Sequence, residues 1–299
     1  MFTINIIGYG FVGSAIGSLL NKNNIKYNIY DTKYIPVESH SRSEYIPVES
    51  HSRSEYICSA NSIQDLVFRS EKNNKDNIYF ISVPTPSDND GNCDISIVEN
   101  VLKELSQTIN KDSSYIIIKS TLVPGSCKTF SQMFPKLNII FCPEFLRELT
   151  ANDDIYNAKF VLCSHTSHEI DLKIDLFFKF IYNHNPDIQI IFNTYEECEL
   201  FKYTLNVYFA VKVWYFNEIY EICDKIGVDY QSLKKLFKLD SRIGEYGTKI
   251  PGDDGFGFGK PCLPKEIKGM MKFQEKNKIP NDVLSNIINR NSYFRLKKL

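Results

Sequence analysis

The residue types most suited to chemistry gather in one stretch, Gly255-Phe256-Gly257-Phe258-Gly259-Lys260-Pro261-Cys262-Leu263-Pro264-Lys265-Glu266. Glycines at 255, 257 and 259 let a backbone bend tightly or approach a ligand closely. Pro264 suits the first residue of a helix, where its missing N–H costs nothing. Cys262 would then stand just ahead of a helix N-terminus, where the dipole and Lys260 or Lys265 favour a thiolate. The same stretch also fits a glycine-rich surface loop holding an incidental buried cysteine, so the rest of the chain must decide.

A second group lies at the other end. The β-branched run Thr3-Ile4-Asn5-Ile6-Ile7 reads as a strand. Gly8-Tyr9-Gly10-Phe11-Val12-Gly13 follows, then a helical pattern from Ser14 to Leu20, then a second strand, Lys26 to Tyr30, ending in Asp31. GxGxxG alone is weak. Between a strand and a helix, with an acid closing the next strand, it is a dinucleotide fingerprint. Gly8 makes the turn, Gly10 admits the pyrophosphate, and Gly13 packs helix on strand. Asp31 can accept from a ribose 2′-OH, which favours NAD over NADP.

Strands and helices then alternate. Strands are read at 77–83, 115–119, 138–141, 160–163 and 188–192, and helical spacing at 62–69 and 97–105. This predicts an α/β, Rossmann-like, doubly wound parallel sheet. Ligands of such sheets lie beyond the carboxyl ends of the strands. Pro84-Thr85, Ser120-Thr121, Glu144 and Glu148 all fall there. Residues 195–227 contain no Gly or Pro until Gly227 and read as one long helix with wide apolar coverage, expected to be buried between domains. Lys202 and Asn206 share one of its faces, pointing either to solvent or to a ligand. A short helix at 230–239, a loop at 240–247 and a last helix from Asn281 to the chain end complete an all-helical region. The expected domains are therefore 1–193, dinucleotide-binding, and 194–299, helical, with a long central helix.

Composition excludes several classes. The 299-residue chain is 43% apolar with a formal net charge of −1, so no electrostatic footprint for nucleic acid or an anionic membrane exists. The eight cysteines are scattered singly, with no CxxC pair or zinc-like spacing, so no metal is expected. No run has the length and apolarity of a membrane span, and no signal peptide precedes the first strand. A cytoplasmic, reducing setting is expected. Tyr34 to Glu44 repeats identically as Tyr45 to Glu55, and the stretch 34–57 reads as a recent duplication in an exposed loop.

Taken together, GYGFVG, Val83-Pro84-Thr85-Pro86, Lys119-Ser120-Thr121, Pro143-Glu144-Phe145-Leu146-Arg147-Glu148, Lys202 with Asn206, Asp240 with Arg242-Ile243-Gly244, and the Cys262 segment occur in a telling order. Over essentially the whole chain outside the duplication, the sequence resembles the UDP-glucose/GDP-mannose dehydrogenase family, most closely its UDP-glucose-oxidising members. The resemblance implies oxidation of the C6 alcohol of a nucleotide sugar to the acid, with two NAD per turnover. It implies Cys262 as the nucleophile that forms a thiohemiacetal and then a thioester. Lys202 and Asn206 would stabilise the oxyanion, Glu144 would direct water, and Thr121 would order a water or the substrate. Glu148 would lie near the nicotinamide. Arg242, Tyr246, Phe145, Leu146 and the Gly255–Gly259 loop would grip the sugar nucleotide.

Three departures stand out. Lys260 replaces a glycine usual in the family, and Glu266 an aspartate. Relatives continue into a further α/β domain of roughly a hundred residues, a normal domain size, so weak UDP-glucose binding is expected here. The last helix, with Val283, Ile287, Ile288, Phe294 and Leu296, is expected to expose an apolar stripe, giving a homodimer or a complex with a chain supplying the missing domain. The rival readings are the same chemistry on UDP-N-acetylmannosamine or GDP-mannose, and a non-catalytic remnant that retains NAD binding or dimerises.

Overall fold

A computed structural model describes residues 2–33, 57–88, 90–260 and 262–297; the duplicated stretch lies outside them up to residue 56. The chain divides into two compact units, Met1–Thr85 with Ile95–Glu199, and Pro86–Asp94 with Leu200–Leu299.

In the first unit the elements are β1 (Phe2–Ile7), α1 (Phe11–Lys22), β2 (Tyr27–Tyr30), β3 (Ile57–Ser59), α2 (Ile63–Glu71), β4 (Asp76–Ile81), α3 (Ser96–Thr108), β5 (Ser114–Ile118), α4 (Ser126–Met133), β6 (Asn138–Phe141), α5 (Ala151–Tyr156), β7 (Phe160–Ser164), α6 (His168–Ile181) and β8 (Gln189–Asn193). Among the described residues six strands form one sheet in the order β3-β2-β1-β4-β5-β6, and β7 pairs with β8. Every pairing is parallel. This is the strand order of the dinucleotide-binding fold.

The central strands are apolar at successive positions because both faces of the sheet are covered. Ile6, Phe80, Ile117 and Ile140 pack with Leu19 of α1 and Phe177 of α6. Ile7, Ile81, Ile118 and Phe141 pack with Leu66 of α2, Leu102 of α3 and Phe130 of α4. Fully burying each such side chain contributes about 1.5–3 kcal/mol. Helix starts follow local chemistry: Ser62 accepts from Asp65 N–H ahead of α2, and Ser167 from Ile170 N–H ahead of α6.

Helix α4 is capped from far along the chain. The buried carboxylate of Glu199, in the first turns of α7 (Tyr195–Ile226), accepts the N–H groups of Gly125 at 2.6 Å and Cys127 at 2.8 Å. Burial pushes the Glu199 carboxyl up to about 7 from 4.5, against the pull of those two hydrogen bonds. The folded chain therefore binds a proton here that the unfolded chain has lost, and stability falls as pH rises from about 4.5 to about 7. The contribution is at most about 1.4 kcal/mol per pH unit. Thermal unfolding across that window should show a steeper loss for the parent chain than for Glu199→Gln; parallel curves would contradict the assignment.

The second unit is helical: the rest of α7, then α8 (Tyr230–Phe237), α9 (Cys262–Lys276) and α10 (Asp282–Arg295). Ala210 of α7, Phe258, Ile267 of α9 and Ile287 of α10 form one core; Phe216, Cys223, Tyr230 and Ile250 form another. Two expectations are corrected. Helix α7 is not covered all round, since Phe201, Tyr208, Tyr215 and Ile222 are exposed. Conversely, Ile287 and Phe294 of α10 are buried inside the unit, so only Val283 and Leu296 of the expected stripe are strongly exposed. α10 itself stops at Arg295. No helix among the described residues is long and apolar enough to cross a membrane.

Candidate functional site

In the first unit the candidate residues lie off the carboxyl ends of parallel strands. Gly8 follows β1 with φ +86°, and a Cβ there would stand 2.8 Å from the Ser82 backbone. A Cβ on Gly13 would meet the Gly8 carbonyl oxygen at 2.1 Å, so the helix packs on the turn only because that atom is missing. Gly10 differs: nothing lies within 4 Å of its would-be Cβ. The open space adjoins the first N–H groups of α1, at Phe11 and Val12, which lack helical partners. A pyrophosphate fits that space and those donors. Beyond β2, the Asp31 carboxylate accepts Tyr9 N–H at 2.6 Å and Lys33 N–H at 2.7 Å. The two hydrogen bonds fix its orientation beside the glycine turn.

The loops after β4 and β5 are tied together, since Ser120 Oγ donates to the Val83 carbonyl at 2.7 Å. This sets buried Thr85 and half-buried Thr121 next to that tie, while Pro84 is exposed. After β6, Glu144 forms an ion pair with Lys119. Phe145 packs on Phe160, its ring 5.6 Å away, and Leu146 packs against the α1–α6 core. A groove of about 530 Å³ is lined by Phe11 and Ser14 of α1 together with Glu148 and Asn152.

In the second unit Cys262 is exposed and is itself the first residue of α9. The helix thus begins two residues earlier than Pro264 suggests. Pro264 is tolerated in that first turn because its N–H would have no helical acceptor. Glu266 lies one turn after Cys262 on the same face. It is buried, and its carboxylate accepts from Asn206 Nδ2 at 2.5 Å. Lys202 lies one turn before Asn206 on α7. Glu266, with one methylene more than aspartate, therefore reaches the α7 amide directly.

The glycines before Cys262 are explained by their own neighbours. At Gly257, φ is +71° and a Cβ would strike Asn291 Oδ1 at 2.5 Å; at Gly259 it would strike Asp254 Oδ2 at 2.2 Å. Gly255, with φ +104°, has more room, its nearest neighbour being Arg295 at 3.9 Å. Two buried asparagines clamp the loop. Asn217 accepts Gly257 N–H at 2.9 Å, and Asn291 accepts Phe258 N–H at 2.7 Å and donates to the Phe258 carbonyl at 2.9 Å. Arg295 adds bonds to the Asp254 and Phe256 carbonyls. Sequence reasoning missed these three. The available signal was asparagine, a poor helix former, within the apolar faces of α7 and α10.

Arg242 is exposed and its guanidinium lies against Asp240, with Nη2 2.6 Å from the carboxylate. It borders a groove of about 500 Å³ with Tyr208, Lys212 and Tyr215. Tyr246 packs on Phe209 with centroids 4.5 Å apart.

Lys260 adopts φ +61°, a left-handed conformation that costs a residue with a Cβ about 1–2 kcal/mol. Glycine relieves that strain but loosens the unfolded chain, so Lys260→Gly should stabilise by about 0.5–1 kcal/mol. Urea unfolding of the two proteins checks this; an unchanged or lower midpoint for the glycine variant would contradict it.

Comparison with known proteins identifies the family. Residues 2–181 match the NAD binding domain of the UDP-glucose/GDP-mannose dehydrogenase family, and residues 196–293 match its central domain. The chain belongs to that family. NAD is accordingly its cofactor, in agreement with the space at Gly10 and the acid at Asp31. A UDP-glucose 6-dehydrogenase of Campylobacter jejuni is 30% identical over 96% of the chain and 71% of the relative. Another from Rickettsia prowazekii is 29% identical over 96% of the chain and 66% of the relative. The chain thus spans about two thirds of the length of these dehydrogenases. A solved UDP-glucose dehydrogenase from Pyrobaculum islandicum superposes with TM-score 0.76 over 98% of the chain and 68% of that structure, at 22% identity, which establishes likeness of fold.

Proposed function

We propose that this chain oxidises the C6 alcohol of UDP-glucose to the acid, UDP-glucuronate, through a covalent intermediate on Cys262. The observation that carries the reading is the exposed thiol at the head of α9, one turn from a buried Glu266 that holds Asn206, with Lys202 one turn before Asn206 on α7. A nucleophile one helical turn from a buried carboxylate that holds an amide donor suits attack on an aldehyde carbon. NAD, when bound, supplies the hydride acceptor for both oxidations.

The chain's own residues do the rest. The N–H groups of Phe11 and Val12, reached through the space at Gly10, hold the pyrophosphate, and Asp31 accepts from the ribose. Pro84, Thr85, Thr121 and Glu148 line the remainder of the cofactor. The Cys262 sulfur forms a C–S bond to the aldehyde carbon, Lys202 and Asn206 donate to the oxygen that becomes negative, and collapse of that oxyanion, with the carbon-bound hydrogen leaving as hydride in the second oxidation, gives the thioester. Glu144 takes a proton from the water that attacks the thioester, and the C–S bond breaks with the thiolate as leaving group. Phe145, Leu146, Arg242, Tyr246 and the 255–259 loop hold the nucleotide sugar.

Assembly as a homodimer belongs to the same reading. Phe201, Tyr208, Tyr215 and Ile222 are exposed at seven-residue spacing along α7. Such a seam on a long helix suits a second copy. A cytoplasmic setting fits the chemistry.

The test is steady-state NADH production with UDP-glucose, UDP-N-acetylmannosamine and GDP-mannose in turn. UDP-glucose should give the highest kcat/KM. Preference for another sugar would reassign the substrate, and no NADH from any would favour a binding protein without activity.

A further inference from the structure

Lys119 carries no role so far, although it opens a motif and sits at the end of a central strand. β5 and β6 run side by side with Ile118 opposite Phe141, so the residues leaving them, Lys119 and Cys142, emerge together. The Lys119 side chain is 6% exposed and that of Glu144 12%. Lys119 Nζ pairs with Glu144 Oε1 and lies 3.0 Å from Cys142 Sγ, with the Phe178 ring centroid 5.7 Å away. Burial weakens the ammonium's hold on its proton, but Cys142 and Glu144 more than restore it. It is a fixed cation in an apolar setting.

We propose that Lys119 is the positioning residue for Glu144, clamping the carboxylate so that it meets the hydrolytic water in one orientation. The proposal rests on the reading of Glu144 as the base in thioester hydrolysis. A glutamate has three side-chain torsions, and a base must stand within hydrogen-bond reach of the proton it takes. A buried ion pair fixes those torsions where a solvated one does not, because water does not screen it. Misplacement of a catalytic group by about 1 Å can cost ~10²-fold. In this assignment Lys119 acts through Glu144 and not on the reacting atoms themselves.

The experiment compares the parent chain with Lys119→Met, Lys119→Arg, Glu144→Gln and the Lys119→Met/Glu144→Gln double variant. Calorimetric NAD binding first confirms folding, and Lys119→Gln replaces Lys119→Met if that variant fails to fold. Single turnovers with UDP-glucose and NAD are quenched, and the Cys262 adduct is followed by intact mass. Lys119→Met should accumulate the adduct as Glu144→Gln does, with hydrolysis slowed roughly 100-fold and the first NADH formed at close to the parent rate. Lys119→Arg should recover part of the rate. The double variant should be no slower than Glu144→Gln alone, since both changes disable one device. Hydrolysis at the parent rate in Lys119→Met, with Glu144→Gln impaired, overturns the positioning role alone. So do losses that multiply in the double variant, or a first NADH slowed equally, which would mark Lys119 as merely structural. Normal hydrolysis in Glu144→Gln overturns the base assignment and the proposal with it.

Discussion

Replacing Cys262 with serine is expected to abolish formation of the acid and leave NAD affinity unchanged. The thiol stands exposed at the start of α9, in the unit that does not contain the glycine turn or Asp31. An alcohol is a far weaker nucleophile at neutral pH, and an ester is slower to form and to cleave than a thioester. Loss of a covalent nucleophile costs on the order of 10⁴-fold or more elsewhere. Serine is close in size and the site is open to solvent, so the fold should be unaffected. Calorimetric NAD titration and a coupled NADH assay on the same sample read both halves. Slow build-up of a stable sugar adduct on the introduced hydroxyl would agree with the account; acid formation at the parent rate would remove it.

The glycine turn yields a contrast of comparable size. Gly13→Ala should cost about 3 kcal/mol or more, because the new methyl meets the Gly8 carbonyl at 2.1 Å and backbone must move. Gly10→Ala should leave stability within about 0.5 kcal/mol. Nothing lies within 4 Å of the new atom, so no neighbour has to move. Yet the methyl would fill the space assigned to the pyrophosphate, and NAD affinity should fall at least tenfold, about 1.4 kcal/mol. Chemical unfolding and NAD titration separate the two effects. A Gly10→Ala protein that binds NAD normally would show that the dinucleotide does not approach there.

The first unit was legible in the sequence wherever signals are local. A strand, GxGxxG, a helix and Asp31 within thirty-one residues point to the β1–α1–β2 turn, and apolar runs mark the parallel strands because both faces are buried. α4 is different: it is short, has no side-chain cap of its own, and begins where Glu199 from another helix accepts its N–H groups. No nearby residue announces it. α6 does carry helical spacing, in Ile174, Phe177, Phe178 and Ile181, so that signal was present and local.

The site residues divide the same way. Cys262 and Glu266 are one turn apart on a helix, and their proximity follows from spacing. Asn206 with Glu266 depends on α7 meeting α9, and Lys119 with Glu144 on β5 lying beside β6, neither of which local pattern encodes. The glycine loop gave its position but not its reason: the missing side chains make room for Asn291, Asp254 and Arg295 of the same chain. Lys260 was visible only as a departure until its φ of +61° supplied the physical reason a glycine suits that position.

The central claim is a two-step oxidation at one carbon without release of the aldehyde. The most direct measurement is the ratio of NADH formed to UDP-glucose consumed by the purified chain, with an aldehyde trap present throughout. The account predicts two NADH per sugar, UDP-glucuronate as the product and nothing in the trap. One NADH per sugar with trapped aldehyde, or sugar bound without any NADH, would contradict it.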